Sequence, residues 1–98
     1  MSELLHVSDF TPWLNHTFPI RFTNEITLPA ELIQVNEVSS FTPIERKPFS
    51  VIFRTEQKTE YYEQTVCILQ HPEKGEVHLF LVPIGLDSQG MRYEAVFA

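Results

Sequence analysis

The run from Glu76 to Gly85, with its continuation from Leu86 to Phe97, constrains the fold most. It reads as two extended segments joined by a loop that Gly85 and Gly90 bracket. Apolar residues occupy both parities: Val77, Leu79 and Leu81 share one face, and Phe80 and Val82 the other. Successive side chains of a strand point to opposite faces, so a segment apolar at both parities needs cover on both sides. A closed small barrel provides that cover, and so does a sheet shielded on its second face by another element or subunit. The preceding segment, Thr65–Gln70, joins this run through His71–Glu76. A type I turn across Glu73 and Lys74, with Gly75 in the left-handed region, predicts a three-residue hairpin loop with a bulge. That register sets Leu69 opposite Leu79 and Cys67 opposite Leu81, and it gathers Ile68, Phe80 and Val82 on the second face. It also makes His71 and His78 near neighbours.

The rest of the chain supports an all-β reading. Ser8 is expected to cap a short helical segment over Asp9–Leu14, with Phe10, Trp13 and Leu14 on one apolar face and Trp13 as a lid over the core. Thr17–Phe22 alternates, with Phe18, Ile20 and Phe22 inward. Pro19 cannot donate to a ladder, which predicts an edge or one-sided pairing there. In Ile26–Val38 the apolar parity of Ile26, Leu28, Ala30 and Leu32 switches at Ile33 and Val35, which predicts a bulge or sharp bend. Pro29 argues against full pairing at its position. Ser39–Lys47 reads as a loop pinned by Phe41 and Ile44. Pro48–Arg54 reads as a strand with Phe49, Val51 and Phe53 inward. Thr55–Glu63 is the most charged stretch and reads as solvated, with Tyr61 and Tyr62 as anchors or partner contacts. Met91, Tyr93, Ala95 and Phe97 alternate on the last strand. The expected fold is a small six-stranded antiparallel barrel or sandwich with one short N-terminal helix.

The 98 residues suit one domain over positions 1–98. At 43% hydrophobic, with eight phenylalanines, they suffice for a single core, including Phe53, Leu79, Leu81 and Phe97. The formal net charge of −6 repels phosphate backbones, so no nucleic-acid partner is expected. No stretch is long and apolar enough for membrane insertion. The opening residues lack the pattern of a signal peptide, so a cytoplasmic location is the default expectation, with incorporation into an exported or particle-like assembly as another route. The single cysteine, Cys67, lies in an apolar run and reads as a buried small hydrophobe.

No constellation points to chemistry. His6, His16, His71 and His78 offer at most one pair, which is no specific metal site. Glu60 and Glu63 flank tyrosines, and Arg92 and Glu94 share an outer face, but any acidic chain offers such pairs. Three glycines cannot build a phosphate-cradling loop, and no Ser-His-Asp signature occurs. No catalytic residue, cofactor or metal is expected.

Pro48–Phe53, the turn from His71 and Pro72 to Gly75, Leu79–Gly85, Gly90–Phe97, and the Ser8–Phe10 opening with Phe18 together resemble a family of small bacterial proteins of about this length that has no assigned activity. The resemblance covers nearly the whole chain. Genes of that family lie near phage-tail-collar-like or fibre-like genes, which implies an accessory or structural role by neighbourhood. Cys67 and Ile68 stand where members carry more polar or aromatic residues, which implies packing roles for both. The expectation is a non-enzymatic structural or interaction module, with a protein partner or self-association. Ile68, Phe80, Val82, Tyr61 and Tyr62 are its candidate interface, and cover of that face by Phe10 and Trp13 within one chain is the competing arrangement. A small barrel that binds a small ligand or acts as a weak enzyme, with Phe80, Tyr93 and Trp13 lining a pocket, is the alternative.

Overall fold

The computed structural model describes residues 5–37 and 48–97. Two consecutive 3₁₀ turns, Val7–Asp9 and Thr11–Trp13, form the short helical segment. Six strands follow: β1 (Thr17–Arg21), β2 (Thr27–Glu37), β3 (Phe49–Arg54), β4 (Thr65–His71), β5 (Gly75–Leu86) and β6 (Met91–Phe97). All neighbours are antiparallel, and the order β1-β2-β3-β6-β5-β4 closes into a barrel.

Two long strands make the closure. β2 pairs with β1 from Thr27 to Glu31 and with β3 from Glu31 to Glu37. β5 pairs with β4 up to Leu81 and with β6 from Val82 onward. Each has a register shift, between Leu32 and Gln34 in β2 and between Pro83 and Gly85 in β5. A bulge bends and twists a strand, which lets it turn from one sheet into the next. The parity switch after Leu32 is this bulge: Ala30 and Leu32 are buried before it, and Val35 packs on the core after it. Pro19 stands opposite Pro29, and each has a neighbour strand on one side only. The missing N–H groups therefore fall where no ladder needs them.

Inward parity holds around the barrel. Phe18, Ile20, Ala30, Leu32, Phe49, Val51, Phe53, Cys67, Leu69, Leu79, Leu81, Tyr93 and Ala95 are buried. Phe97 packs against this core, with its ring stacked on Phe49 at 4.6 Å between centroids. Burial of this much aromatic and aliphatic surface is the main favourable term for so short a chain.

Three expectations need correction. The helical segment starts earlier than Ser8 implies: the Asp9 carboxylate accepts from the His6 N–H at 2.9 Å, so the first turn opens at Val7. Of its apolar residues, Phe10 is buried while Leu14 is 40% exposed, so they do not share one face. The β4–β5 register lies two residues from the expected one, with Cys67 opposite Leu79, Leu69 opposite Val77 and His71 opposite Gly75. Its cause is His71, whose Nδ1 accepts the N–H of Glu73 at 3.0 Å and of Lys74 at 3.1 Å and so closes the turn directly after itself. A two-residue shift preserves parity, so the inward set is unchanged. It does separate the histidines: His71 is buried, and His78 points outward opposite Ile68. The loop expected over Ser39–Lys47, with Phe41 and Ile44, lies outside the described residues.

Candidate functional site

The inward side chains form one buried cluster, and aromatic side chains cover both ends. At one end Phe10 lies against Phe49, His71 and Phe97, with ring centroids 5.7–6.0 Å apart. Trp13 sits beside it against Phe18 and His71 and acts as the lid the sequence suggests. His71 holds this cover in place. Its Nδ1 is an acceptor, so Nε2 carries the proton and donates to the Asp9 carbonyl at 2.7 Å. At the other end Tyr62 stacks on Phe22 at 5.1 Å. Tyr93 Oη donates to Gln57 Oε1 at 2.7 Å and accepts from the Tyr62 N–H at 2.9 Å. Burial raises the Tyr93 phenol above its ordinary pKa. Burial also raises the Cys67 thiol to about 11, which keeps it protonated and unreactive.

Polar groups converge outside the barrel. A cleft of about 500 Å³ is lined by Thr17, Glu31, Arg54, Glu56, Lys58 and Gln89 among others. Arg54 is its best-held cation: Nη1 donates to Asp87 Oδ2 at 3.0 Å, and Nη2 to Glu31 Oε1 at 3.4 Å. Asp87 also organises the β5–β6 loop, because its Oδ1 accepts the N–H of Gln89 at 2.8 Å and of Gly90 at 2.9 Å. Those backbone donors, chiefly Gln89, and the adjacent guanidinium lower its pKa to about 2. Lys58 Nζ donates to the Gln89 carbonyl at 2.8 Å. Each cation already has its acceptor, so the cluster reads first as a clasp between β2, β3 and the last loop. Among the described residues, no group of three or more His, Cys, Asp or Glu side chains is placed to hold a metal ion.

The third feature is the outer face of β4 and β5. Val66 and Phe80 are direct cross-strand partners, and they are 56% and 53% exposed. Ile68 and Val82 are half-buried on the same face. Val96, also exposed, lies two residues beyond the Val82–Glu94 pair. Phe10 and Trp13 cover the end of the barrel and not this face, so the intramolecular cover that the sequence allowed is absent.

Residues 5–97 match the family described as a domain of unknown function, DUF6916. The chain belongs to this family. No curated protein and no solved structure matches it. This DUF6916 barrel brings Ile68, Phe80 and Val82 onto one surface, as their shared parity implies. Tyr62 is taken up in packing at the barrel end, while Tyr61 is 58% exposed in the loop before β4. Phe80, Tyr93 and Trp13 do not line one pocket: Phe80 faces out, and Tyr93 and Trp13 belong to opposite ends of the barrel. Sequence reasoning missed Val66, whose parity was legible but which the shifted register left without its partner Phe80. It also missed the clasp of Glu31, Arg54 and Asp87, whose members are far apart in sequence. The one local signal was Asp87 three residues before Gly90, a spacing in which an aspartate accepts loop N–H groups. Among the described residues, no helix is long and apolar enough to cross a membrane.

Proposed function

We propose that this chain is a non-enzymatic structural or interaction module, an accessory or assembly subunit of a phage-tail-like or fibrous bacterial assembly. The observation that carries the reading is the contrast between inward side chains buried in one packed cluster and an outward apolar face centred on Val66 and Phe80. Ligand-binding barrels keep a concave, mostly apolar cavity. Here the inward positions are taken by side chains that pack on one another, and exposed apolar side chains gather on the outside, where partners dock. The resemblance to proteins encoded near tail-collar-like and fibre-like genes supplies the kind of assembly. Mixing the purified chain with the products of its neighbouring genes and measuring mass by light scattering tests this. A stable complex with a structural neighbour is the expected result, and a chain that binds none of them overturns the reading.

The cleft around Arg54 favours a second reading, a polar small-ligand site. Chemical-shift perturbation by a panel of small carboxylates, amines and sugars tests it. Localised shifts at Arg54, Lys58 and Gln89 would favour that reading over the first.

A further inference from the structure

We propose that His71 is a proton-gated latch: the cover made by Phe10 and Trp13 is seated on the neutral ring, and acidification frees it. This device goes beyond the interaction-module reading and stands whether or not that reading holds. The ring is buried, with 3% of the residue exposed. Its Nδ1 accepts the N–H of Glu73 at 3.0 Å and of Lys74 at 3.1 Å. A backbone N–H can only donate, so Nδ1 keeps its lone pair and Nε2 carries the single ring proton. That proton goes to the Asp9 carbonyl at 2.7 Å. Both nitrogens are thus fully used in one protonation state. A second proton has one place to go, Nδ1, and there it turns the acceptor into a donor that faces two donors. The two turn bonds are then lost, and the N–H groups of Glu73, Lys74 and the ring point at one another. Such donors are costly to keep away from water, and a buried unpaired charge is more so.

The described groups around the ring do not compensate. Phe10 and Trp13 from the 3₁₀ turns and Phe18 from β1 lie against it, with ring centroids 5.9–6.0 Å away. β5 places Gly75 opposite it and so brings no charge. The Asp9 carboxylate would favour a charged ring, but it already accepts the His6 N–H at 2.9 Å and pairs with Lys74 Nζ at 3.5 Å. Lys74 is itself a cation in the turn that the ring closes, and it opposes a second positive charge there. The Glu73 side chain is exposed, and His16 reaches Trp13 at 5.3 Å between ring centroids. The charged ring therefore finds water only by leaving its place. It then withdraws from the Asp9 carbonyl, and Phe10 and Trp13 lose the wall they lean on. The open state binds a proton that the closed state does not. Stability of the cover is accordingly complete above the pH at which an exposed imidazole charges, about 6.5, and falls below it toward roughly tenfold per pH unit. Acid uncovers the aromatic end of the barrel, where Phe18, Phe49 and Phe97 meet the cover.

Amide hydrogen exchange on the full chain, from about pH 7.5 to about pH 5, tests the latch. Protection at Phe10, Trp13, Glu73 and Lys74, corrected for the intrinsic rate, should hold steady above about pH 6.5 and then fall by up to roughly tenfold per pH unit. At each pH it should stay below the protection of β3 and β6, which marks an opening of the cover and not of the barrel. His71→Asn keeps an oxygen that can accept the turn N–H groups and has no proton to take up. Its protection at Phe10 and Trp13 should not change with pH across this window. His16→Gln, which removes the other histidine beside Trp13, should keep the wild-type fall. The ring nitrogen shifts of His71 in the wild-type chain should report the Nε2–H form at neutral pH. Flat wild-type protection, a fall that persists in His71→Asn or vanishes in His16→Gln, exchange of the cover together with β3 and β6, or an Nδ1–H ring would each overturn the proposal. If His71→Asn loses its circular dichroism, the wild-type profile and the ring shifts still decide. None of these results depends on a partner, so the light-scattering test of the interaction module succeeds or fails separately.

Discussion

Asp87 is the residue whose chemistry most clearly fixes local structure. One carboxylate oxygen takes two loop N–H groups and the other takes Arg54. All three contacts favour the charged form, which is why its pKa falls to about 2 from an ordinary 3.8. The folded value lies below the unfolded one, so its contribution to stability is complete above about pH 4 and is lost as pH falls toward 2. The melting temperatures of the wild type and Asp87→Asn should therefore differ most above pH 4 and converge as pH approaches 2. A gap that stays constant through that window would mean that Asp87 titrates as an unpaired carboxylate. The loop is constrained from its far side as well. A Cβ on Gly90 would lie 1.7 Å from the Thr55 carbonyl oxygen, so this position accepts only glycine without displacing β3's end.

The β4–β5 hairpin is the element that best separates what the sequence shows from what it hides. Parity was legible, because Cys67, Leu69, Leu79 and Leu81 are apolar at period two and all are buried. The left-handed Gly75 was legible from the turn chemistry, and its φ is +74°. The register was not, because it depends on one side chain: an Nδ1 that captures two backbone donors looks in sequence like any histidine before a proline. β2 was legible through Pro29 and its parity switch, since a bulge must move the apolar residues to the other parity. The clasp of Glu31, Arg54 and Asp87 left little trace, because closure of the barrel brings it together from three separate elements. A Cβ at Gly75 meets nothing within 4 Å, so any cost of substitution there is backbone strain alone. Gly75→Val should lower stability by at least ~1 kcal/mol, and Gly75→Asn by less, because asparagine tolerates positive φ. Denaturant midpoints measure both, and equal losses in the two variants would point away from strain at φ as the cause.

At the scale of the whole barrel the wall is uneven, and the thin place is the seam between β1 and β4. These strands meet only through Ile20–Leu69 and Arg21–Ile68, whereas β4 and β5 pair from Thr65–Leu81 through to His71–Gly75. Side chains complete the seam where the ladder stops. Trp13, Phe18 and His71 meet edge to face or tilted, Phe10 fills the end beside them, and the His71–Asp9 bond ties the first turn to β4. Backbone pairing protects amides cooperatively, and side-chain cover does so only while it stays seated. Native-state hydrogen exchange should therefore find the amides of the 3₁₀ turns and β1 opening below the free energy of global unfolding, with β3, β5 and β6 exchanging last. Phe10→Ala removes a fully buried side chain of that cover and should cost about 3–5 kcal/mol overall. It should also bring the β1 amides into exchange earlier relative to those of β3 and β6. If β1 instead exchanges together with β3 and β6 in both proteins, the barrel opens as one unit and the seam is not its weak point.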